Sequence, residues 1–512
     1  MRRLLRGRLP VILLGLAAAW MARSMHESGH GWGDDFALYI NQARGLADGS
    51  LWGVVADNRF GLNNSAWDYY SPLAYPWLFP LLLMPIIAVV GVDLELLKWV
   101  PTLAFVTMVL STLVLSRRRL DPTTTTIVVV LVALNPWYLG ATDAILSDLV
   151  FVAFVLVSLV LLDRAVEQRR VFSPGLGPMI GAAVMIAAAF HIRREALGLG
   201  LALAVVQLMA FRSQEQPVAR RQLLAPWAVL IGAVGGFHLL LPAPLLATEA
   251  PGGGLSQIPH HLAWYREPLA ELIGLKDIGD NPVSALGSST IGHVLFWAII
   301  GLAAIGAGAA VASVIARRHT VAPHLVAALL GIGTVVMVAP YQYQRYIYTV
   351  AVLTPIVAAS GLRTIVRVRS RFTLVPVLSL LILGVPAAQH VTNTVRTLDY
   401  HRAYEYTHWG PTHPDVVELF DAVERLTDER DVVVFFQARS MNLFTGRLSI
   451  QGNNEQMMVE RGDWYAQERD SDYIQTPLTT ERAAQIGFEA VWSNNRFILW
   501  RIPEFEAPAI SP

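Results

Sequence analysis

The chain is punctuated by runs of roughly 15 to 25 residues that carry almost no charge, and this one pattern confines it to a single class of fold. A membrane offers no water to a peptide group, so a crossing segment must satisfy its own backbone, as a helix does. The runs lie at Leu9–Ala22, Trp99–Leu115, Thr124–Leu139, Ile145–Leu162, Met179–His191, Leu197–Phe211, Leu223–Leu246, Ile291–Ala316, Val321–Pro340, Ile347–Leu362 and Phe372–Ala388. They predict a polytopic α-helical membrane protein with about eleven transmembrane helices. Composition agrees, since 54% of the 512 residues are hydrophobic and 15% are charged, outside the range of soluble domains.

The charge balance narrows the function. Lys plus Arg number 39 and Asp plus Glu number 39, so no basic excess supports nucleic-acid binding. Cysteine is absent, which excludes disulfides and thiolate metal sites. Lys98 and Lys276 are the only lysines among many arginines, a bias of GC-rich genomes that points to a bacterial source and its inner membrane.

Arginine placement sets the expected orientation, because cytoplasmic loops collect positive charge. Arg2, Arg3, Arg6 and Arg8 precede the first run, Arg117–Arg119 follow the second, and Arg164, Arg169 and Arg170 follow the fourth. Arg212, Arg220 and Arg221, then Arg317 and Arg318, then Arg363, Arg367, Arg369 and Arg371 continue the alternation. All fall on one side if the N-terminus is cytoplasmic. The run Ser71–Val92 breaks this count if it spans. Its prolines, Pro72, Pro76, Pro80 and Pro85, and its aromatics Tyr69, Tyr70, Tyr75 and Trp77 suit a segment lying along or dipping into the outer leaflet. The basic N-terminus and small residues Ala17–Ala22 also resemble a cleavable signal peptide, an alternative that leaves the sidedness of the following loop unchanged.

The expected domains are therefore 1–389, transmembrane, with a first exterior loop at 23–98 that contains juxtamembrane helices, and 390–512, an extracytoplasmic α/β domain. Past Gln389 the composition turns polar for about 120 residues, the size of a small domain. There Val416–Leu426 has helical spacing, Val432–Phe436 reads as a strand, Glu481–Ile486 as a short helix, and Phe488–Trp492 with Phe497–Ile502 as a hairpin turning at Asn494-Asn495. No internal repeat of solenoid type is present.

The first exterior loop opens Gly33-Asp34-Asp35-Phe36-Ala37-Leu38-Tyr39, two carboxylates where an apolar run leaves the membrane. On a helix, Asp35, Tyr39 and then Gln42 share one face. Helix capping is the competing structural reading of the aspartates. His26 and His30 beside Asp34 and Asp35 could coordinate zinc or a harder divalent cation, although the spacing matches no standard site. No other cofactor is indicated. His260-His261 with Trp264 and Tyr265 form an aromatic segment after the seventh run, suited to a lid, an acceptor surface or interface packing.

Asp35, Tyr39, Ala43, Leu46 and Gly49 keep the spacing of the first exterior loop in the GT-C glycosyltransferases, a superfamily that includes protein O-mannosyltransferases and aminoarabinose transferases. Tyr70-Ser71-Pro72 to Tyr75-Pro76 resembles their Tyr/Pro-rich juxtamembrane stretch, and Leu146-Ser147-Asp148-Leu149 their Leu-Ser-Glu-Leu. Arg193-Arg194-Glu195 is similar to their Arg-Pro-Glu, Arg345-Tyr346 to a late Arg-Tyr, and Ala438-Arg439 with Thr445-Gly446-Arg447 to a pair in their exterior domain. One departure is that the residue after the first acid, often Glu in the family, is Phe36, and the second acid stands ahead of it at Asp34.

The resemblance implies transfer of a sugar from a polyprenyl-phosphate carrier to an acceptor hydroxyl, with inversion, at the extracytoplasmic face. The expected partners are that lipid-linked sugar, a glycan, lipid or protein acceptor, and membrane lipid. Asp35 is the expected general base, with Asp34 the alternative. Arg345, Arg193 and Arg194 are the expected donor-phosphate ligands, although the same arginines suit interface anchors. Asp148, Asp143, Tyr39 and Tyr70 are expected to bind acceptor or support the site, with helix capping the simpler reading of the two acids. Arg439 and Arg447 are expected to serve local structure. The rival functions are a lipid-linked sugar transporter or flippase and a non-catalytic scaffold displaying the C-terminal domain. Sugar and acceptor identity have no motif.

Overall fold

In this computed structural model the described residues are 2–66, 72–173, 176–213, 218–243, 254–275, 290–315, 322–368, 374–403, 407–469, 471 and 475–504. They form two compact units. One comprises Met1–His26, Lys98–Pro242 and Pro251–Glu405; the other comprises Glu27–Leu97, Ala243–Ala250 and Tyr406–Pro512. The division does not follow the composition change near 389. The helix Gly384–Ala403 belongs with the apolar helices, and the first loop belongs with the polar C-terminal segment.

The first unit is helical throughout, and each of the eleven apolar runs carries a helix in its described part. Among the described residues, six stretches are long and apolar enough to cross a membrane: Leu94–Arg117, Asp148–Glu167, Arg194–Arg212, Arg220–Leu240, Thr290–Ile315 and Gln344–Val366. The number rises to eight if Pro122–Ala133 with Pro136–Asp143, and Leu374–Ile382 with Gly384–Tyr400, each count as one span bent by 43°. Length and composition among the described residues thus give six to eight spans, where the apolar runs predicted about eleven. Gly177–Phe190 and Pro323–Val338 have 10–17 residues, about 15–25 Å at 1.5 Å per residue, against a hydrocarbon core of about 30 Å. Leu78–Val90, inside the run expected not to span, is also of this short class. The first bend has a local cause. Pro136 restarts the helix behind Asn135, whose Oδ1 accepts from the Trp137 N–H at 3.0 Å and whose Nδ2 donates to the Leu272 carbonyl at 2.8 Å.

Two crossings depend on missing side chains. A Cβ on Gly198 would strike the backbone of Gly331, and one on Gly361 would strike the Leu302 carbonyl and Gly306. Backbones approach this closely only over small residues, the usual device of helices packed in lipid. Charges inside the unit are paired. Asp163, at the end of Asp148–Glu167, receives Arg118 at 3.0 Å, Arg119, and His324 at 3.2 Å. Lys98, fully buried, meets Asp143 at 2.8 Å.

The second unit is α/β. Its strands are β1 (Val432–Val434), β2 (Leu448–Ile450), β3 (Trp464–Glu468), β4 (Glu489–Ser493) and β5 (Phe497–Arg501), in the order β2-β1-β3-β5-β4. β1 pairs parallel to β2 and β3, and β5 pairs antiparallel to β3 and β4. The period of two sorts the strands' side chains. Val433, Trp464, Ala466, Phe497 and Leu499 face Val416, Leu419, Phe420 and Val423 of the Pro414–Leu426 helix, while Val434, Tyr465 and Trp500 face Met457 and Met458. The expected helices at 416–426 and 481–486 and the 488–502 hairpin are present. The Ala438–Thr445 and Glu455–Arg461 helices and β2 and β3 had not been anticipated.

We predict that Gly361→Ala destabilises the protein by about 1–3 kcal/mol, the usual cost of overpacking. Gly308→Ala on the Thr290–Ile315 helix, where nothing lies within 4 Å of the new methyl, leaves the thermal midpoint in detergent unchanged or raised.

Candidate functional site

The Asp34–Asp48 helix begins behind Gly33, whose φ of 151° suits glycine, and ends at Gly49 with φ 81°. The cap position is therefore Gly33, and no side chain caps this end. Asp34 and Asp35 occupy the first turn, where the helix dipole favours negative charge.

The face carrying Asp35, Tyr39 and Gln42 closes around one residue, Tyr75. Its phenol donates to Asp35 Oδ1 at 2.5 Å. Its ring stacks on Tyr39 with centroids 4.3 Å apart. Its backbone is held at both ends by the Gln42 amide, which donates to the Tyr75 carbonyl at 3.0 Å and accepts from the Tyr75 N–H at 3.0 Å. Burial pushes the Tyr75 phenol well above the usual tyrosine range, and the Asp35 charge pushes it further, so it stays a donor at any physiological pH.

Arg439 completes the frame. It donates to Asn58 Oδ1 at 2.9 Å and to the Pro72 carbonyl at 3.0 Å, with its guanidinium 5.9 Å from the Tyr75 ring. Asn58 in turn donates to the Pro72 and Leu73 carbonyls at 3.0 and 2.7 Å. Asp34 points elsewhere, accepting from Gln451 Nε2 at 3.3 Å. The Tyr/Pro-rich stretch is thus tied down by groups from three elements. Tyr70 lies outside the described residues.

The helical unit gathers a second cluster. Arg193 donates to Asp148 Oδ1 at 2.6 Å and to Glu195 Oε1 at 2.9 Å, and its guanidinium lies 4.7 Å from the Tyr346 ring. Arg345 Nε stands 4.0 Å from the same Asp148 oxygen, with Tyr343 and Tyr346 at 5.2 and 5.7 Å. Asp148 is 5% exposed, whereas Arg345 is 25% exposed, so the carboxylate is shut in and a cation remains reachable. Tyr265, buried on the Ile258–Leu272 helix, joins this group; burial raises its phenol beyond the usual range, and the backbone of Tyr343 opposes that rise by hydrogen bonding. Arg194 turns away, donating to the Phe190 carbonyl at 2.9 Å with its guanidinium 4.4 Å from the Phe190 ring. Asp143 is held by Lys98 rather than by these arginines.

Of the four residues weighed as a metal set, His26 falls in one unit and His30, Asp34 and Asp35 in the other. His26 belongs to the helical unit, where its Nε2 lies 3.2 Å from Thr102 Oγ1. His30 belongs to the α/β unit, stacked on Phe36 at 4.0 Å with Nδ1 2.7 Å from the Gly31 carbonyl. Of the expected arginines, Arg317, Arg318, Arg369 and Arg371 lie outside the described residues, as do the side chains of Arg2, Arg3, Arg6, Arg8 and Arg367.

No protein-family profile matches the sequence. No curated protein matches it either. Solved structures do. The chain superposes on ArnT from Cupriavidus metallidurans bound to undecaprenyl phosphate with a TM-score of 0.55, 12% identity, and 97% and 98% of the two chains covered. The same protein in its apo state gives 0.56 over the same shares. The Archaeoglobus fulgidus oligosaccharyltransferase in its apo form gives 0.51 at 13% identity, covering 90% of this chain and 69% of that one.

The chain has the GT-C fold. Its multi-pass membrane architecture and its small C-terminal sheet are those expected from the motifs. The sequence had put Asp35, Tyr39 and Gln42 on one face but had given Tyr75 only an interfacial role, and it left Tyr265 outside the arginine cluster. A phenol four helical turns or a loop away announces no partner. The Tyr-x-x-x-x-Tyr-Pro spacing was the available signal.

Two outcomes follow. Unfolded tyrosine ionises near pH 10 while Tyr75 keeps its proton in the folded unit, so this residue's contribution is intact below about pH 10 and is lost as pH rises further. The thermal midpoint of the wild type should fall more steeply above about pH 10 than that of Tyr75→Phe. Asp148→Asn leaves Arg193 and Arg345 facing each other without their shared anion, and should lower stability at neutral pH by about 1.5–3 kcal/mol in a chemical or thermal melt.

Proposed function

We propose that this protein transfers a sugar from a polyprenyl-phosphate carrier to an acceptor hydroxyl, as a multi-pass enzyme of the bacterial cell membrane with the reaction at the extracytoplasmic face. The observation that carries the reading is the Arg193–Asp148–Arg345 cluster within a GT-C fold, given that one solved structure of that fold holds undecaprenyl phosphate. A second solved likeness is the archaeal oligosaccharyltransferase AglB in complex with an inhibitory peptide and a dolichol-phosphate, at 11% identity and a TM-score of 0.50. Both carriers are long prenyl chains ending in phosphate.

In the proposed reaction the acceptor oxygen attacks the anomeric carbon and its proton passes to a carboxylate. The carbon–oxygen bond to the phosphate breaks, and the phosphate leaves with the bonding electrons. Asp35 is the preferred base and Asp34 the alternative. Tyr75 orients Asp35 by holding Oδ1, which leaves the group pointed in one direction rather than rotating, and positioning of this kind supports general-base catalysis. Arg345, the reachable member of its cluster, is assigned to the departing phosphate, with Arg193 behind it; guanidinium groups suit both the geometry and the developing charge. Arg194 has a lesser part in this scheme because its guanidinium packs on Phe190. Attack opposite the leaving group inverts the anomeric centre. Asp143 and Tyr39 support the framework. A divalent cation is not needed for this scheme, and its involvement is a separate question for chelation.

The test uses the purified full chain in nanodiscs with a panel of radiolabelled polyprenyl-phosphate sugars and detergent-extracted envelope glycans as acceptors. We expect turnover that Asp35→Asn lowers by about 10²–10⁴, the usual worth of a general base, and that Arg345→Gln lowers by a comparable factor. Loss in Asp34→Asn alone would reassign the base. Equal rates in wild type and both aspartate variants would overturn the mechanism. Movement of intact lipid-linked sugar across the bilayer without bond cleavage would make the protein a transporter instead.

A further inference from the structure

The Ile258–Leu272 helix has a second working face. His261, Tyr265 and Leu272 are buried, with Tyr265 in the arginine cluster, but Arg266 and Glu267 point into a separate, partly open cavity of about 190 Å³. Its opposite wall is the first two turns of the Thr290–Ile315 helix, which contribute His293, Phe296 and Trp297. That helix is a candidate span with only 22% of its apolar window buried, so most of its surface is left for lipid. Ile291 and Val294 are each 61% exposed and Trp297 58%.

The position constrains the ligand. A cavity at the first turns of a lipid-facing span, marked by an exposed tryptophan, lies at headgroup depth. The volume is well below the roughly 300–1,000 Å³ of pockets that enclose drug-sized ligands, and equals about six waters at some 30 Å³ each. The chemistry of the walls is zwitterionic: a guanidinium, suited to a phosphate diester, adjoins a carboxylate, suited to accept N–H bonds from a primary ammonium. Beside them, Ile291, Val294 and the indole of Trp297 offer an apolar track for acyl chains.

We propose that this cavity is a binding site for the phosphoethanolamine headgroup of a membrane phospholipid, with Arg266 holding the phosphate and Glu267 receiving the ammonium. It is distinct from the arginine cluster and uses the opposite face of the helix that carries Tyr265. Binding therefore bears on the helix that supplies one wall of that cluster. The site is independent of the sugar-transfer reading and stands or falls without it.

Native mass spectrometry of the full chain, delipidated in detergent, tests this directly. Dipalmitoyl phosphatidylethanolamine, phosphatidylcholine and phosphatidylglycerol would be titrated separately, with glycerophosphoethanolamine as the tail-free probe. We expect a saturable phosphatidylethanolamine adduct, weakened about tenfold by Arg266→Gln, the effect of losing one charge-assisted contact. Glu267→Gln should abolish the preference over phosphatidylglycerol while leaving phosphate binding in place. Weak binding of the tail-free probe would assign the source to the bilayer lipid, and tight binding would assign it to a soluble phosphoethanolamine. Equal adducts for all three lipids, or adducts unchanged in both variants, would overturn the proposal. Unchanged thermal midpoints in the two variants, both on exposed side chains, separate loss of the site from loss of the fold.

Discussion

A charge that has no water must find another charge, and this governs the helical unit. Transfer of an ion from water into an apolar interior costs several kcal/mol even after relaxation, so ionisable groups appear there only in sets. Lys98 meets Asp143, Asp163 collects Arg118, Arg119 and His324, and Asp148 lies between Arg193 and Arg345. Each set joins segments far apart in sequence and so fixes helix register where apolar packing in lipid discriminates weakly. The last two sets each leave one arginine about a quarter exposed, Arg118 at 23% and Arg345 at 25%, whereas Lys98 and Asp143 are shut in. In the third set two cations, Arg193 and Arg345, stand beside two anions, Asp148 and Glu195, so the cluster meets a further negative charge through the reach of Arg345 and not through a surplus of positive charge.

The α/β unit solves a different problem. Its sheet and flanking helices have an ordinary two-sided core, and the Asp34–Asp48 helix uses its polar face to hold a proline-rich stretch that makes few backbone bonds of its own. Gln42 takes both backbone groups of Tyr75, Asn58 and Arg439 take the carbonyls of Pro72 and Leu73, and Asp35 takes the phenol. The carboxylate is therefore part of a structural clamp as well as a candidate for chemistry. A substitution at Asp35 tests both, which is why its amide, able still to accept from Tyr75, is more informative than alanine.

Much of this was legible in the chain. Apolar runs located most helices of the first unit, because hydrophobicity over some 15 residues is a strong signal, but the Ile258–Leu272 helix lies in none of them. Among the described residues fewer are long enough alone, because the helix pairs at 122–143 and 374–400 bend and Gly177–Phe190 and Pro323–Val338 are short. The 3.6-residue period placed Asp35, Tyr39 and Gln42 together. It could not say what they would face, since Tyr75 is brought there by tertiary structure. Arg194 shows what adjacency leaves open: next to Arg193 and alike in chemistry, it donates to the Phe190 carbonyl and packs over the Phe190 ring. Composition reports exposure to lipid and not which segments pack together, so it carries no signal for the grouping of 27–97 with 406–512.

The burial of Lys98 has a practical side. With no exposed surface it is closed to amine-directed reagents in the folded protein, and the sequence offers only one other lysine side chain and no thiol. Covalent probes can therefore be placed almost at will: a single engineered cysteine will be the sole thiol on the chain, and acylation of Lys98 itself becomes a report that the helical unit has opened.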